Sequence, residues 1–291
     1  MLTGIHRCSR GVSAVPYIQT NGFQCWYDYR EAAPGAPTVV FCNGIMATLE
    51  GWDRQLAVTD RLGWNALRFE YRGQWRSELT HPWPWTFDTH ADDLAALLDA
   101  LSIGAPCHVV GASYGGFVGA RFAARHPDRT ASLLLMTTAG RIRPLPQRIV
   151  TNWRNWAEAG DLHTKFHGMI PELYSEGFLA RFGDRINAGM AATREAAEAV
   201  ADFAEGQVAL HDTSFRELVE SDAFTHLARI QCPTLVVAAE EDRLYPPTDN
   251  RDVANAIPDS QFITVPGAGH ALVVERPRLV NLLMAGHLAE T

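Results

Sequence analysis

The chain has no run of lysine or arginine and no long apolar stretch. Of its 291 residues, 25 are Lys or Arg and 33 are Asp or Glu, which gives a formal net charge of −8. This balance argues against nucleic acid or an anionic membrane surface as the main partner. No apolar run approaches the roughly 18 residues that cross a bilayer, and residues 1–15 lack the apolar core of a secretory signal. We therefore expect a cytoplasmic protein with no membrane span, for which a neutral or apolar small molecule is a better partner than nucleic acid.

The chain also lacks the motifs that hold cofactors. It contains no Walker A sequence and no Gly-x-Gly-x-x-Gly after a strand, so no nucleotide cofactor is implied. His163 and His167 are four residues apart, a spacing that can bind metal, but no third ligand accompanies them at a motif spacing. We predict neither a metal nor a cofactor.

Cysteines are few and form no pattern. None stands in a Cys-x-x-Cys pair, and an odd number cannot all pair within one chain. The five are Cys8, Cys25, Cys42, Cys107 and Cys232. We predict that they are reduced packing residues, since a free cysteine in an apolar run acts as a small hydrophobe.

Short β-rich runs alternate with helix-like segments along most of the chain. The predicted strands are residues 14–19, 23–29, 38–42, 66–71, 107–110, 132–137, 234–239 and 261–265. The predicted helices of this part are residues 51–62, 88–101, 114–125, 249–256 and 276–288. Asn21-Gly22 predicts a hairpin between the first two strands. The alternation is typical of a mostly parallel sheet covered by helices on both faces.

The alternation is interrupted once, at residues 141–226, which contain no convincing strand. Helical periodicity occurs there at residues 149–159, 177–182 and 191–210. We predict a core domain formed by residues 1–140 and 227–291, with residues 141–226 inserted as a helical cap. The insertion should lie across the carboxyl ends of the strands, where open α/β sheets bind ligands. Its apolar side chains either line a pocket or fill the cap's own core: Trp153, Trp156, Phe166, Met169, Tyr174, Phe178, Phe182 and Met190.

The most informative motif is Gly111-Ala112-Ser113-Tyr114-Gly115, which follows an apolar strand and precedes a helix-like segment. Such a sharp turn holds a serine in a strained conformation, and its neighbours two residues away must lack bulk. Ser113 is therefore a candidate nucleophile. A serine hydroxyl needs a base within hydrogen-bond reach, which a carboxylate orients in turn.

A base and an acid are expected after the last two strands. His270 ends the segment Pro266-Gly267-Ala268-Gly269-His270, whose glycines allow the loop to turn back over the sheet edge. Glu240, Glu241 and Asp242 follow the preceding strand, and any of the three could approach the imidazole. We select Asp242 as the acid and His270 as the base.

Ser113, Asp242 and His270 follow one another in the chain order of α/β-hydrolases. On this order, the turn at Ser113 and the inserted helices, the chain resembles the α/β-hydrolase superfamily over nearly its whole length. The resemblance implies an α/β-hydrolase fold, with a mostly parallel eight-stranded sheet, helices on both faces and a helical cap.

Catalysis also requires N–H donors for the oxyanion of a tetrahedral intermediate. The backbone N–H of Tyr114, at the start of a helix, supplies one. The loop after strand 38–42 reads Asn43-Gly44-Ile45-Met46-Ala47-Thr48. Superfamily members commonly have His-Gly there and use the following N–H, which maps onto Ile45. Asn43 replaces that histidine, and we expect it to brace the loop and, with Gly44 and Met46, to contact the substrate.

These features predict a serine hydrolase that cleaves a hydrophobic carboxylic ester, thioester or lactone through an acyl-enzyme. An alternative is an acyltransferase that joins 3-hydroxyacyl groups from a thioester donor. The Asn-Gly-Ile loop and the cap resemble the hydroxyalkanoyloxyalkanoate-forming acyltransferases of rhamnolipid synthesis, and the Asn-Gly-Ile start resembles polyhydroxyalkanoate depolymerases. A further alternative is a non-catalytic ligand receptor on the same fold. The oligomeric state stays open.

Overall fold

One eight-stranded sheet forms the centre of the molecule, for which a computed structural model describes residues 17–219 and 224–291. The strands are β1 (Tyr17–Thr20), β2 (Phe23–Arg30), β3 (Thr38–Cys42), β4 (Asn65–Phe69), β5 (Cys107–Ala112), β6 (Thr130–Met136), β7 (Thr234–Ala239) and β8 (Ser260–Val265). Their order is β1-β2-β4-β3-β5-β6-β7-β8. The β1–β2 and β2–β4 pairs are antiparallel, and every other pair is parallel.

Helices cover both faces of this sheet and continue into a separate helical group. They are α1 (Leu56–Leu62), α2 (Phe87–Ala100), α3 (Tyr114–Arg125), α4 (Pro144–Glu158), α5 (Leu162–Gly168), α6 (Ile170–Leu173), α7 (Glu176–Glu198), α8 (Phe203–Val219), α9 (Phe224–Leu227), α10 (Pro247–Ala256), α11 (Leu272–Glu275) and α12 (Pro277–Glu290). None of the described helices is both long and apolar enough to span a bilayer.

Two apolar clusters, one on each face, hold the sheet in place. Strand β3 is buried along its whole length. Val39 packs with Leu56 of α1 and Met284 of α12 on one face, whereas Val40 packs with Leu94 of α2 and Phe122 of α3 on the other. Because neighbouring side chains of a strand point to opposite faces, a strand buried on both faces is apolar at every position. This burial explains why central strands such as β3 read as nearly continuous apolar runs.

The expected fold class is confirmed, with differences at the ends of several elements. The hairpin turns at Asn21 and Gly22, whose φ angles are 39° and 80°. Residues 14–16 of the predicted first strand, and Cys8, lie outside the described residues. The helix predicted at 276–288 is α12, which begins at Pro277, a residue suited to a helix start, and the short helix α11 precedes it.

The segment between β6 and β7 contains helices α4 to α9 and, in residues 137–219 and 224–233, no strand. Two helices predicted at 177–182 and 191–210 are divided differently in the structure. Helix α7 runs unbroken through Gly183 and Gly189, and the break falls between Glu198 and Phe203. Neither glycine has a neighbouring atom where a Cβ would stand. Glycine weakens a helix without ending it. The break predicted between residues 182 and 191 is therefore absent from α7.

Candidate active site

The turn between β5 and α3 places Ser113 at the carboxyl edge of the sheet. Its φ and ψ angles are 55° and −118°, a conformation that side-chain-bearing residues rarely adopt. A Cβ at Gly111 would lie 2.2 Å from the carbonyl oxygen of Gly115, and one at Gly115 would lie 1.9 Å from that of Cys42. No side chain fits at either position. Both glycines are therefore required by the close approach of backbone that holds the serine above the strand end.

Asp242 and His270 form a hydrogen-bonded pair on the two neighbouring loops. His270 Nδ1 lies 2.9 Å from Asp242 Oδ2. The other carboxylate oxygen, Oδ1, accepts from the backbone N–H groups of Leu244 at 2.8 Å and Tyr245 at 3.0 Å. Both members of the pair are buried. Since an ionised carboxylate only accepts, Nδ1 carries a proton and Nε2 is left as the acceptor that a general base needs.

The other two acids considered in this segment have different partners. Glu240 accepts a hydrogen bond from the backbone N–H of Gly267 at 2.8 Å, and Glu241 accepts one from that of Glu176 at 3.2 Å. The structure thus pairs Asp242, among the three, with the imidazole. Within the described residues Ser113 Oγ and His270 form no hydrogen bond, but both line one cavity.

The loop after β3 lies against Ser113, and its carbonyl groups accept hydrogen bonds from two glutamine side chains. A Cβ at Gly44 would stand 3.9 Å from Ser113 Cβ. Gln74 Nε2 donates to the carbonyl oxygens of Gly44 at 2.8 Å and Ile45 at 3.3 Å, and Gln207 Nε2 also donates to the latter at 3.2 Å. The Gly44 carbonyl shares its peptide unit with the Ile45 N–H, so its bond to Gln74 fixes the direction of the predicted oxyanion donor, while the bonds to the Ile45 carbonyl hold the next unit of the loop.

Tyr114 contributes only its backbone to this site. Its side chain is buried, and its hydroxyl lies 2.9 Å from His90 Nε2 inside the core. The N–H of this residue starts α3, where the helix dipole favours negative charge. Ile45, Ser113 and Tyr114 line one small cavity, so the structure brings the two predicted oxyanion donors and the predicted nucleophile to one place.

Asn43 braces the loop and is not on the cavity wall. Its side-chain amide donates to the carbonyl of Phe69 at 2.9 Å, and its amide oxygen accepts from Trp52 Nε1 at 2.8 Å. It is completely buried. Of the three residues predicted to contact the substrate, Gly44 and Met46 line the cavity, and Asn43 does not.

A cavity of about 300 Å³ opens in front of Ser113 and His270. Five of the aromatic or apolar side chains singled out in the inserted segment line it: Trp153, Phe166, Met169, Tyr174 and Met190. Of the other three, Phe178 and Phe182 line a neighbouring surface groove, and Trp156 packs against Gly168. The cavity wall is therefore mostly apolar and is shared between the sheet edge and the inserted helices.

A buried carboxylate that the sequence did not single out ties the His270 loop to those helices. Glu275 Oε1 accepts from the backbone N–H groups of Ser175 at 2.9 Å and Gly269 at 3.1 Å. A Cβ at Gly269 would lie 2.5 Å from the backbone nitrogen of Ser175, so the two segments touch through backbone. An acid five residues after His270 carries no motif, and only the structure identifies it.

The four cysteines within residues 17–291 and the histidine pair take no part in the site. Cys25, Cys42, Cys107 and Cys232 are buried and free, and burial raises the pKa of Cys42 to about 12. The rings of His163 and His167 stack 4.4 Å apart. In the described part of the chain no group of three His, Cys, Asp or Glu side chains is arranged to hold a metal ion.

The sequence and the structure are both similar to known hydrolases. Residues 37–277 match the model of the family described as the alpha/beta hydrolase fold. A relative from Caulobacter segnis, named "Putative carbamate hydrolase RutD", is 27% identical over 259 residues, which cover 88% of this chain and 93% of the relative. The enol-lactonase from Burkholderia xenovorans LB400 superposes with a TM-score of 0.82 and 25% identity, over 94% of this chain and 100% of that one.

A second solved structure is similar in fold. MGS-M2, an alpha/beta hydrolase enzyme from a Medee basin deep-sea metagenome library, superposes with a TM-score of 0.86 at 23% identity. The match covers 94% of this chain and 98% of that one.

Proposed function

This chain belongs to the α/β hydrolase fold family and is a hydrolase, and from that premise we propose that Ser113 is its nucleophile. The family and the enzyme class expected from the sequence are thus confirmed. The substrate we propose is a hydrophobic carboxylic ester, thioester or lactone. The observation that carries the proposal is the strained Ser113 beside the Asp242–His270 pair on one mostly apolar cavity.

The reaction begins when His270 Nε2 takes the proton of Ser113 Oγ, which attacks the carbonyl carbon of the substrate. The carbonyl oxygen becomes an oxyanion that accepts from the N–H groups of Ile45 and Tyr114. Collapse of this intermediate breaks the bond to the leaving oxygen or sulfur, which takes the proton from His270. The product of this half-reaction is an acyl-enzyme on Ser113.

The second half-reaction repeats these steps with water. His270 takes a proton from water, the resulting hydroxide attacks the acyl carbon, and the proton returns to Ser113 Oγ as the acid leaves. Asp242 stays ionised throughout and stabilises the imidazolium through Nδ1. A carbamate, the substrate named for the Caulobacter relative, has the same carbonyl carbon and would follow the same route.

The proposal is tested with a fluorophosphonate probe, which reacts with activated serines. We expect stoichiometric labelling of the wild-type protein and none of Ser113→Ala, with the modified residue located by peptide mass spectrometry. Hydrolysis of 4-nitrophenyl esters of increasing acyl length, matching thioesters and an aryl carbamate then ranks the substrate classes. An unlabelled wild-type protein that hydrolyses none of these compounds would overturn the proposal.

A further inference from the structure

A groove rich in arginine runs along α7 and is not used by the mechanism above. It has a volume of about 1080 Å³, and the face of α7 that carries Phe178, Phe182 and Met190 lines it. Gly267 and residues 274–279 form most of the rest of its wall. Five of the lining residues are arginines, and we call it the arginine groove after them: Arg54, Arg181, Arg185, Arg276 and Arg278.

The positive charge of the arginine groove is not balanced by carboxylates. All five arginines are exposed, and among residues 17–219 and 224–291 no carboxylate forms an ion pair with any of them. The carboxylate in the described lining, Glu275, is buried and accepts from the backbone N–H groups of Ser175 and Gly269. The chain as a whole has a formal net charge of −8, so an even distribution would place acids in excess here. The groove is therefore complementary to an anion.

The side chains of the groove suit an anion with several charges and a flat ring. A guanidinium has five N–H donors in a planar fork that matches phosphate oxygens, and several guanidiniums along one groove exceed the need of a single carboxylate. The rings of Tyr174, Phe178 and Phe182 lie in a row, with 5.8 Å and 4.8 Å between successive centroids. Such rings accept a planar base by stacking. Phosphates together with a base are the chemistry of a nucleotide.

The arginine groove adjoins the cavity at Ser113 on the side of the general base. Four residues line both the cavity and the groove: Tyr174, Met190, Thr193 and Val274. The segment around His270 also lines both, because His270 faces the cavity and Gly267 the groove. Since His270 gives its proton to the leaving group, the leaving group lies beside this segment. A leaving group longer than the cavity therefore continues into the groove.

We propose that the arginine groove binds the phosphates of the leaving group, and that the substrate is an acyl thioester whose thiol belongs to a nucleotide-bearing carrier. The inference rests on the proposed function and selects among its substrate classes, because such a carrier holds its acyl group as a thioester. Attack by Ser113 then breaks the bond between the acyl carbon and sulfur. The thiol takes the proton from His270 and leaves with its phosphates still bound to the arginines.

The test compares two thioesters that share their acyl group and thiol arm. Butyryl-coenzyme A carries the phosphates and the base, whereas butyryl-pantetheine lacks both. We expect wild type to favour butyryl-coenzyme A by about tenfold or more in kcat/KM at low ionic strength. The ratio of the two kcat/KM values should shrink as NaCl is raised to about 0.5 M, because salt screens exposed charges.

A double variant assigns the preference to the groove. Arg181→Gln with Arg185→Gln removes two guanidiniums from α7, and we expect it to lower the ratio about fivefold, as two exposed ion pairs allow. Arg229→Gln, the same change at an exposed arginine that does not line the groove, should leave the ratio within about twofold of wild type. Circular dichroism verifies that the variants are folded.

Two results would overturn the inference. One is a ratio near one in wild type, or a ratio that neither salt nor the double variant changes. The other is a higher kcat/KM for the butyryl ester of glycerol 3-phosphate than for butyryl-coenzyme A, which would assign the groove to an oxygen ester. In either case, labelling of Ser113 and hydrolysis of 4-nitrophenyl esters would leave the proposed function standing. If wild type is unlabelled and hydrolyses none of these compounds, the proposed function falls, and this inference falls with it.

Discussion

Two regions meet at Ser113, and they are built by different rules. On the sheet edge, the positions of Ser113, Asp242 and His270 are set by backbone: a positive φ angle, glycines with no space for a Cβ, and loops after parallel strands. In the inserted helices, the wall of the site is set by side chains such as Trp153 and Met190, on helices with no strained backbone. Under the proposed function, the reaction chemistry lies in the first region and the choice of substrate in the second.

The strongest way to break this comparison is to remove the charge of the acid alone. Asp242→Asn keeps the shape of the side chain but donates an N–H where the imidazole needs an acceptor. We expect kcat/KM to fall about 10³- to 10⁴-fold for every ester, because the ring is held in the wrong tautomer. Glu241→Gln, one residue away, should stay within about twofold of wild type. Steady-state kinetics on one ester measure kcat/KM for both variants. Equal losses of kcat/KM in the two variants would contradict the pairing of His270 with Asp242.

A pair of glycine substitutions compares the two regions through stability. Gly115→Ala forces a Cβ into the backbone of Cys42, and we expect the free energy of unfolding to fall by about 3 kcal/mol or more. Gly183→Ala, in α7, meets open space and should raise it by about 0.5–1 kcal/mol. Urea denaturation monitored by circular dichroism measures both. A stable Gly115→Ala protein would mean that the turn at Ser113 is not closely packed.

The same contrast explains how much the sequence could predict. Backbone constraints leave few alternatives, so the strand order, the turn at Ser113 and the loop of His270 could be inferred from glycines, apolar runs and chain order. We selected Asp242 as the acid, but the sequence pattern alone does not exclude Glu241. The geometry of the loop decides which of the two acids reaches the imidazole ring.

The polar residues of the inserted helices could not be predicted. Lys165 of α5 and His211 of α8 are buried, and Lys165 Nζ lies 2.9 Å from His211 Nε2. They are 46 positions apart in the chain, and each reads as an ordinary surface residue of an amphipathic helix. Glu275 and Gln207 likewise gain their roles only when α8 and α11 pack against the sheet edge. Contacts between distant segments depend on tertiary packing, which helical periodicity does not report. Substrate choice is therefore the part of the function that most needs the structure.

A pH-dependent stability difference sharpens the comparison on the helical side. Burial lowers the pKa of Lys165 to about 7, whereas in the unfolded chain it is near 10.5. Between these values the unfolded state binds more protons than the folded state, so the penalty is complete below pH 7 and is relieved as the pH rises. Relative to Lys165→Met, wild type should gain about 2 kcal/mol of unfolding free energy between pH 7 and pH 9.

The window from pH 7 to pH 9 isolates the lysine. The pKa of His211 is lowered in the folded protein, so its contribution to the pH dependence of stability is confined to lower pH. Urea denaturation at several pH values in this window gives the difference between the two proteins. If the difference in free energy of unfolding between wild type and Lys165→Met stays constant with pH, Lys165 keeps its charge in the folded protein. The neutral form of its amine would then be excluded.

The smallest effect is expected where the two regions are joined by one side chain. Gln207 of α8 donates to the carbonyl of Ile45, while its own amide oxygen is buried without a partner. Gln207→Leu removes both, so the free energy of unfolding should rise by up to about 1 kcal/mol because an unsatisfied carbonyl is lost. The peptide before Met46 is still held by Gln74, and we expect kcat to fall only about threefold, with KM nearly unchanged, because the loop that carries the Ile45 N–H becomes less fixed. The decisive result is a higher free energy of unfolding together with a lower kcat. If Gln207 had only a packing role, the free energy of unfolding and kcat would change in the same direction. If kcat is unaffected while stability rises, the oxyanion loop is positioned by the sheet edge alone, and the inserted helices influence which acyl group binds but not how fast it reacts.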